Sequence, residues 1–254
     1  MVRRPRDTGS ARFAPQLATA ATAPPAGDDW MHEIKLDGYR IGCVIDDGTV
    51  TLWSRAGNDW TENFPEIRAA AARLSAKNAV LDGEIAVVLP DGRTNFHALQ
   101  RALAGGARGG LTYFAFDLLA LDGEDTAVLP IERRKERLAR LIGAAAPGLP
   151  IRYSDHVIGD GPAVFAQACR MGLEGVVSKR RGQPYRPGRS SGWLKVKGEA
   201  RQEFVIGGFV DRGGAPRGRA AAATAVPGGE VGALLCGTYA DDGRLLFAGK
   251  VGTG

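Results

Sequence analysis

Cysteine and histidine are scarce in this chain, and the few present do not cluster. Cys43, Cys169 and Cys236 stand far apart without a C-x-x-C pair, and His32, His97 and His156 are equally scattered. That argues against a disulfide framework and a thiolate or imidazole zinc site, and reads as buried free thiols in a reducing compartment. Any metal is then a hard cation held by carboxylates and phosphates. No apolar run approaches the roughly 20 residues that cross a bilayer, so no membrane span is expected. Nor is a secretory signal: after Arg3, Arg4 and Arg6, prolines and polar residues take the place of a continuous apolar segment. Internal repeats and a regular βαβ alternation are also missing. This leaves an α+β fold of antiparallel sheets flanked by helices rather than a doubly wound one.

What is present suffices for a large core. The 254 residues are 44% hydrophobic and 24% charged, as in a globular protein of one large domain or a large and a small one. The net charge of +5 has one address. Ser178 to Arg201 carries Lys179, Arg180, Arg181, Arg186, Arg189, Lys195, Lys197 and Arg201 against Glu199 alone. Taking these eight bases and one acid from the totals of 33 and 28 leaves 25 bases and 27 acids elsewhere. Positive charge so concentrated, with Tyr185 and Trp193 interleaved, favours a polyanion over a merely solvated loop.

Three regions are expected. Residues 1–28, with Pro24-Pro25 and Gly27, read as a flexible arm. Residues 29–198 read as the main domain, with strands in "MHEIKL", "YRIGCVID" and "TVTLWSR" and helices over 64–76, near 95–103 and in "IERRKERLARLIG". "NAVLDGEIAVVLPDG" reads as a strand pair turning at its internal Asp-Gly. Residues 199–254 hold three strand-like runs separated by an Ala/Gly/Pro/Arg-rich stretch at 212–229, fewer than the five strands of an oligonucleotide-binding barrel, so an incomplete barrel is expected.

In "WMHEIKLDGYR", strand alternation puts Glu33, Lys35 and Asp37 on one side, with the lysine between two acids. Taken alone this is a surface ion pair, and "VLDGEI", "EGVVSK" and "WLKVK" are each ordinary strands. Their order carries more. Lys35-x-Asp37-Gly38-x-Arg40, Ser54-Arg55-x-Gly57, Asp82-Gly83-Glu84, Phe116-Asp117, Glu174-Gly175-Val176-Val177-x-Lys179 and Trp193-x-Lys195-x-Lys197 follow one another along the chain. This series resembles the covalent nucleotidyltransferases, and within them the ATP-dependent DNA ligases. "YFAFDLLALDGED", "LEGVVSKR", "PYRPGRSSGWLKVKG" and "FAGKVGTG" are similar to the ligase domain of bacterial non-homologous end-joining ligases of the LigD type, over roughly residues 12 to 254.

The resemblance implies a nucleotidyltransferase (adenylation) domain followed by an OB-fold domain, and a three-step reaction. A lysine, Lys35 by position, attacks the α-phosphate of ATP; the AMP passes to a DNA 5′-phosphate; a 3′-hydroxyl then displaces it. The amine must first lose its proton, through desolvation or nearby positive charge from Arg40, Arg55, Lys195, Lys197 and Mg²⁺ or Mn²⁺. Glu33 and Asp37 pull the other way, so one of them is expected to be engaged elsewhere. Further implied roles are backbone near Glu33 for adenine, Phe116 for stacking, Glu84 for the ribose, and Arg40 and Arg55 for phosphate or ribose oxygens. Lys195 and Lys197 serve the α-phosphate, Lys179 lies near the nucleotide, and Glu174, with Glu84, is the metal ligand. Plain alternation sets Glu174 and Lys179 on opposite faces, which requires a bulge or twist.

The resemblance also implies DNA as partner, with a Ku-type end-binding protein and polymerase or phosphoesterase modules, a monomeric state and a bacterial cytoplasmic, nucleoid-associated location. RNA ligases and capping guanylyltransferases share the lysine motif, and a non-catalytic DNA-end binding module is the rival of a different class. No basic motif follows Lys250, where the family has one that orients pyrophosphate. Weak self-adenylation with retained sealing of pre-adenylated nicks is therefore expected; rapid stoichiometric labelling by radioactive ATP with Mg²⁺ would contradict it.

Overall fold

The computed structural model describes residues 13–145, 147–198, 204–211, 216–218, 231–240 and 242–252. The chain divides into two units, Met1–Glu199 and Ala200–Gly254. Residues 1–12 of the expected arm, and Glu199 and Arg201 of the basic stretch, lie outside the described residues.

The first unit begins with β1 (Gln16–Ala20), followed by β2 (Trp30–Ile34), β3 (Tyr39–Asp46), β4 (Thr49–Ser54), α1 (Pro65–Ala71) and β5 (Asn78–Val87). Next come α2 (Phe96–Leu103), β6 (Leu111–Leu121), β7 (Glu124–Asp125), α3 (Ile131–Gly143), β8 (Ile151–Tyr153) and β9 (Val157–Ile158). The unit closes with α4 (Gly161–Arg170), β10 (Gly175–Arg180) and β11 (Gly188–Lys197). Two sheets result, in the orders β1-β11-β10-β2-β9 and β4-β3-β5-β6-β7, with β8 beside β6. Pairing is antiparallel except between β1 and β11 and between β6 and β8. The fold is α+β.

The apolar alternation of β3 and β4 is turned by Asp47 and Gly48, both at positive φ (46° and 82°), the geometry that matches a tight hairpin to strand twist. The core lies against the second sheet. Ile41, Leu52, Leu81 and Ile85 meet Ile67 of α1, Leu99 of α2 and Leu138 of α3, all with no exposed surface. Asn95 caps α2 by accepting from the Ala98 N–H at 2.7 Å.

Two expectations are corrected. Part of the arm is ordered: β1 adds to the edge of the first sheet, and Phe13 is buried against Gly42 of β3. Pro and Gly content marked residues 21–28 correctly as loop but hid five residues able to pair. Second, "NAVLDGEIAV" is one strand, not a hairpin. Asp82 is clamped by Arg40, and a Cβ on Gly83 would lie 2.4 Å from Tyr113 Cε2, so this Asp-Gly serves close packing in mid-strand.

In the second unit β12 (Val205–Asp211), β13 (Pro216–Gly218), β14 (Val231–Tyr239) and β15 (Leu245–Gly252) form an antiparallel sheet in the order β13-β12-β14-β15. Three of these were expected; β13 arises within the Ala/Gly/Pro/Arg-rich stretch, whose remaining residues lie outside those described.

Gly83→Ala should lower stability by about 1–3 kcal/mol through overpacking against Tyr113, read as a reduced urea midpoint with an unchanged m-value.

Candidate active site

Strand β10 hydrogen-bonds to β2 on one side and β11 on the other. Residues opposed in antiparallel strands share a face. One face therefore collects Glu33, Val177 and Lys195 in one row, and Met31, Lys179 and Trp193 in the next. Gly175 opposes Lys197 and accepts the Lys35 N–H at 2.9 Å, so Lys35 continues that face just beyond the end of β2.

The face opens on a cavity of about 470 Å³. It brings together Glu33, Lys35, Arg40, Arg55, Glu84, Phe116, Lys179 and Lys195, eight of the residues picked out in the sequence. Lys197 and Glu174 stand beside it. Glu174 Oε2 is 2.5 Å from Lys35 Nζ and its Oε1 is 3.2 Å from Lys197 Nζ, so one carboxylate joins two lysines. It can do so because Glu174 precedes β10 at a turn where Gly175 has φ 143°, outside the alternation that set it opposite Lys179. A Cβ at Gly175 would meet the Val196 carbonyl oxygen at 2.1 Å, so glycine is required.

Both acids flanking Lys35 in the sequence are occupied elsewhere. Asp37 Oδ2 accepts the Phe96 N–H at 3.1 Å, at the start of α2. Glu33 is buried and receives Lys135 at 2.7 Å, Lys179 at 2.9 Å and the Ser154 hydroxyl at 3.2 Å. Burial raises its carboxyl, but the two ammonium groups outweigh this and hold it below the ordinary range. Burial brings Lys179 down to about 8, although Glu33 works against that. Its Nζ sits 4.4 Å from the Phe116 centroid and 4.3 Å from that of Trp193.

The positive groups divide by their engagement. Arg40 spends its fork on Asp82 (2.5 and 2.6 Å) and stacks 4.4 Å over Phe116, so it shapes the wall instead of offering a free fork to phosphate. Phe116 is 6% exposed, edge-on to Trp193. Among the described residues, neither Arg55 nor Lys195 makes a salt bridge, and both line the cavity. Glu84 Oε1 accepts the Gly38 N–H at 2.9 Å, and burial raises its carboxyl to about 7.

Sequence reasoning gave Asp82 and Tyr185 no role of their own and missed Lys135 and the wall made by Leu17 and Ala18. One signal was available for Lys135: with Arg134 it falls on the α3 stripe of Ile131, Leu138 and Leu141, where a charge implies a buried partner. Arg134 accordingly forks onto buried Asp117 at 2.6 and 2.9 Å.

Residues 15–197 match the family model described as "ATP dependent DNA ligase domain". The chain is 42% identical, over 95% of its length, to the "Multifunctional non-homologous end joining protein LigD" of Pseudomonas aeruginosa, covering 27% of that protein. It is 38% identical to the Mycobacterium tuberculosis LigD over 95% of the chain and 30% of that protein, so it spans less than a third of either relative. Among solved structures, a mycobacterial DNA ligase D complexed with ATP and MES superposes with a TM-score of 0.67 at 34% identity, covering 94% of this chain and 72% of that one. The ligase domain of M. tuberculosis LigD gives 0.65 at 36% identity, covering 95% and 73%.

The raised Glu84 carboxyl holds a proton in the folded state that the unfolded chain has already released. This group therefore favours folding at low pH, and its contribution fades as pH rises from about 4.3 toward about 7. Urea unfolding from pH 4.5 to 8 should show wild type losing stability relative to Glu84→Gln across that window.

Proposed function

The chain belongs to the ATP-dependent DNA ligases, in the LigD branch, and from that premise we propose that Lys35 is its nucleophile. The Nζ electron pair attacks the α-phosphorus of ATP, the bond to the pyrophosphate oxygen breaks, and the amine proton leaves. The product is a lysine–AMP phosphoramidate. AMP then passes to the 5′-phosphate at a DNA break, and the 3′-hydroxyl closes the strand and expels AMP.

The observation that carries this reading is the isolation of Lys35 from its sequence neighbours. Glu33 is engaged by Lys135, Lys179 and Ser154, and Asp37 accepts the Phe96 N–H; the carboxylate that meets Lys35 is Glu174, placed within reach to accept a proton from the amine. Arg55 and Lys195 line the same cavity and can neutralise charge growing on the α-phosphate. Glu84 supplies a ribose acceptor, and the nucleoside base would reach the Phe116 ring by displacing a cation that now lies over it, Arg40 or Lys179, each at 4.4 Å. Lys197 supports Glu174 at 3.2 Å.

A divalent cation fits this donor set. Among the described residues no three His, Cys, Asp or Glu converge, while Glu174 and Glu84 stand close enough for Glu174 to raise Glu84. That suits Mg²⁺ or Mn²⁺, which takes one or two carboxylates and completes its shell with phosphate and water. Bound there, it would neutralise phosphate charge.

The DNA substrate is proposed to lie along the exposed Arg180, Arg186 and Arg189 of the basic stretch; Lys179 is withdrawn into the core and Arg181 pairs with Glu132 at 3.1 Å. Bacterial end joining is the proposed setting, in the cytoplasm, with a Ku-type end-binding protein and partner modules of the kind a multifunctional relative implies. Among the described residues, no helix is long and apolar enough to cross a membrane.

Intact mass of the protein after incubation with ATP and Mg²⁺ should reveal an AMP adduct that pyrophosphate removes. Lys35→Ala should lack the adduct and lose nick sealing by more than about a thousandfold, while still closing a nick supplied already adenylated. An adduct that persists in Lys35→Ala would place the nucleophile elsewhere. No adduct, together with no sealing of the adenylated nick, would leave a DNA-binding module.

A further inference from the structure

The residues that line the cavity include Leu17 and Ala18 of β1, which lie outside every motif in the chain. This strand pairs with β11 in parallel, Gln16 beside Gly188, Leu17 beside Arg189 and Ala18 beside Ser190; a bulge then brings Thr19 to Leu194 and Ala20 to Lys195. The strand ends alongside the lysine that lines the cavity.

Gln16 is 2% exposed and uses all its polar atoms. Its N–H donates to the Tyr185 hydroxyl oxygen at 2.7 Å, and its carbonyl accepts from Arg40 Nη2 at 3.2 Å. Its side chain donates to Ser190 Oγ at 3.0 Å and accepts the Arg186 N–H at 2.8 Å. Tyr185 in turn donates to Asp82 Oδ2 at 2.6 Å, and Asp82 takes the fork of Arg40 that lies over Phe116. A continuous run of buried, charge-assisted hydrogen bonds thus links the β1 backbone to the aromatic wall of the cavity. Ala18 packs on the same Phe116, Tyr185 and Trp193 cluster. Phe13, just upstream, is buried on Gly42 of the other sheet, so the segment straddles both sheets.

We propose that β1 is a working wall of the nucleotide cavity, and that Gln16 and Tyr185 are positioning residues that hold this wall and Phe116 in the shape that receives ATP. The proposal rests on the reading that this cavity takes ATP. Its chemistry differs from that of Lys35: β1 supplies shape and a fixed backbone, and no reacting group.

The test uses the full chain. Tyr185→Phe keeps the ring against Trp193 and removes the hydroxyl that ties Gln16 to Asp82. It should raise the KM for ATP in lysine–AMP formation by about tenfold, the effect of losing a hydrogen bond to a charged group, with the rate at saturating ATP within about twofold of wild type. A residue that only stabilised the fold would lower the unfolding midpoint and leave KM in place. Ala18→Trp, which fills the cavity from the β1 side without touching the tie, should abolish the adduct. Hydrogen exchange at the amides of residues 17–20 should slow when ATP is added to wild type, and slow less in Tyr185→Phe. Wild type that forms the adduct, with KM unchanged in both variants and β1 exchange indifferent to ATP, would overturn the wall alone. Wild type that forms no adduct would overturn the nucleotide reading and this proposal with it.

Discussion

Strand β10 is hydrogen-bonded along both edges, and its register determines which residues can act together. Because opposed residues in antiparallel strands share a face, pairing Val177 with both Glu33 and Lys195 commits the whole odd-numbered row of three strands to the cavity. A slip of one residue would present His32 and Ser178 instead, which now bond each other at 2.8 Å on the opposite face. Gly175 ends the row with a backbone that only glycine adopts there, and so turns Glu174 toward Lys35.

Behind this face the unit buries three carboxylates, Glu33, Asp82 and Asp117, and each is met by cations: two lysines, the fork of Arg40 and the fork of Arg134. Leaving any one of these charges unpaired in the interior would cost several kcal/mol. Such networks are therefore demanding in geometry even where they add little net stability. Here they also partition function. The acids nearest Lys35 in the chain are withdrawn from it, and the acid that touches it lies 139 residues away, just before β10. Arg40 is likewise withdrawn from ligand and turned into wall, while Arg55 and Lys195 keep their charges open to the cavity.

Much of the fold was legible because its signals are local. The α3 helix runs Ile131–Gly143, the bounds that its apolar stripe marks, and β3 covers the whole of "YRIGCVID". The misreadings share a cause. Asp-Gly at 82–83 carries the chemistry of a turn, yet the Asp found a buried arginine and the Gly made room for Tyr113, so the strand runs straight through. The arm held a strand whose few residues become one only because the edge of β11 accepts them. Asp37 is not among them: one of the two acids beside Lys35 was expected to be engaged elsewhere, and both are.

The sequence by itself determined the identity and order of the chemical groups: a lysine before Asp-Gly, acids and an aromatic at set intervals, and a basic run ending in two lysines on one strand face. Covalent order and side-chain chemistry suffice for that, and this series is what resembles the ATP-dependent DNA ligases. Only the tertiary structure decided which charges face the cavity and which cancel in the core, and that β1 closes one side of it. Those outcomes depend on strand register, on a glycine that reverses a face, and on contacts between segments more than a hundred residues apart. Burial and Coulomb energy act across such contacts without regard to separation along the chain.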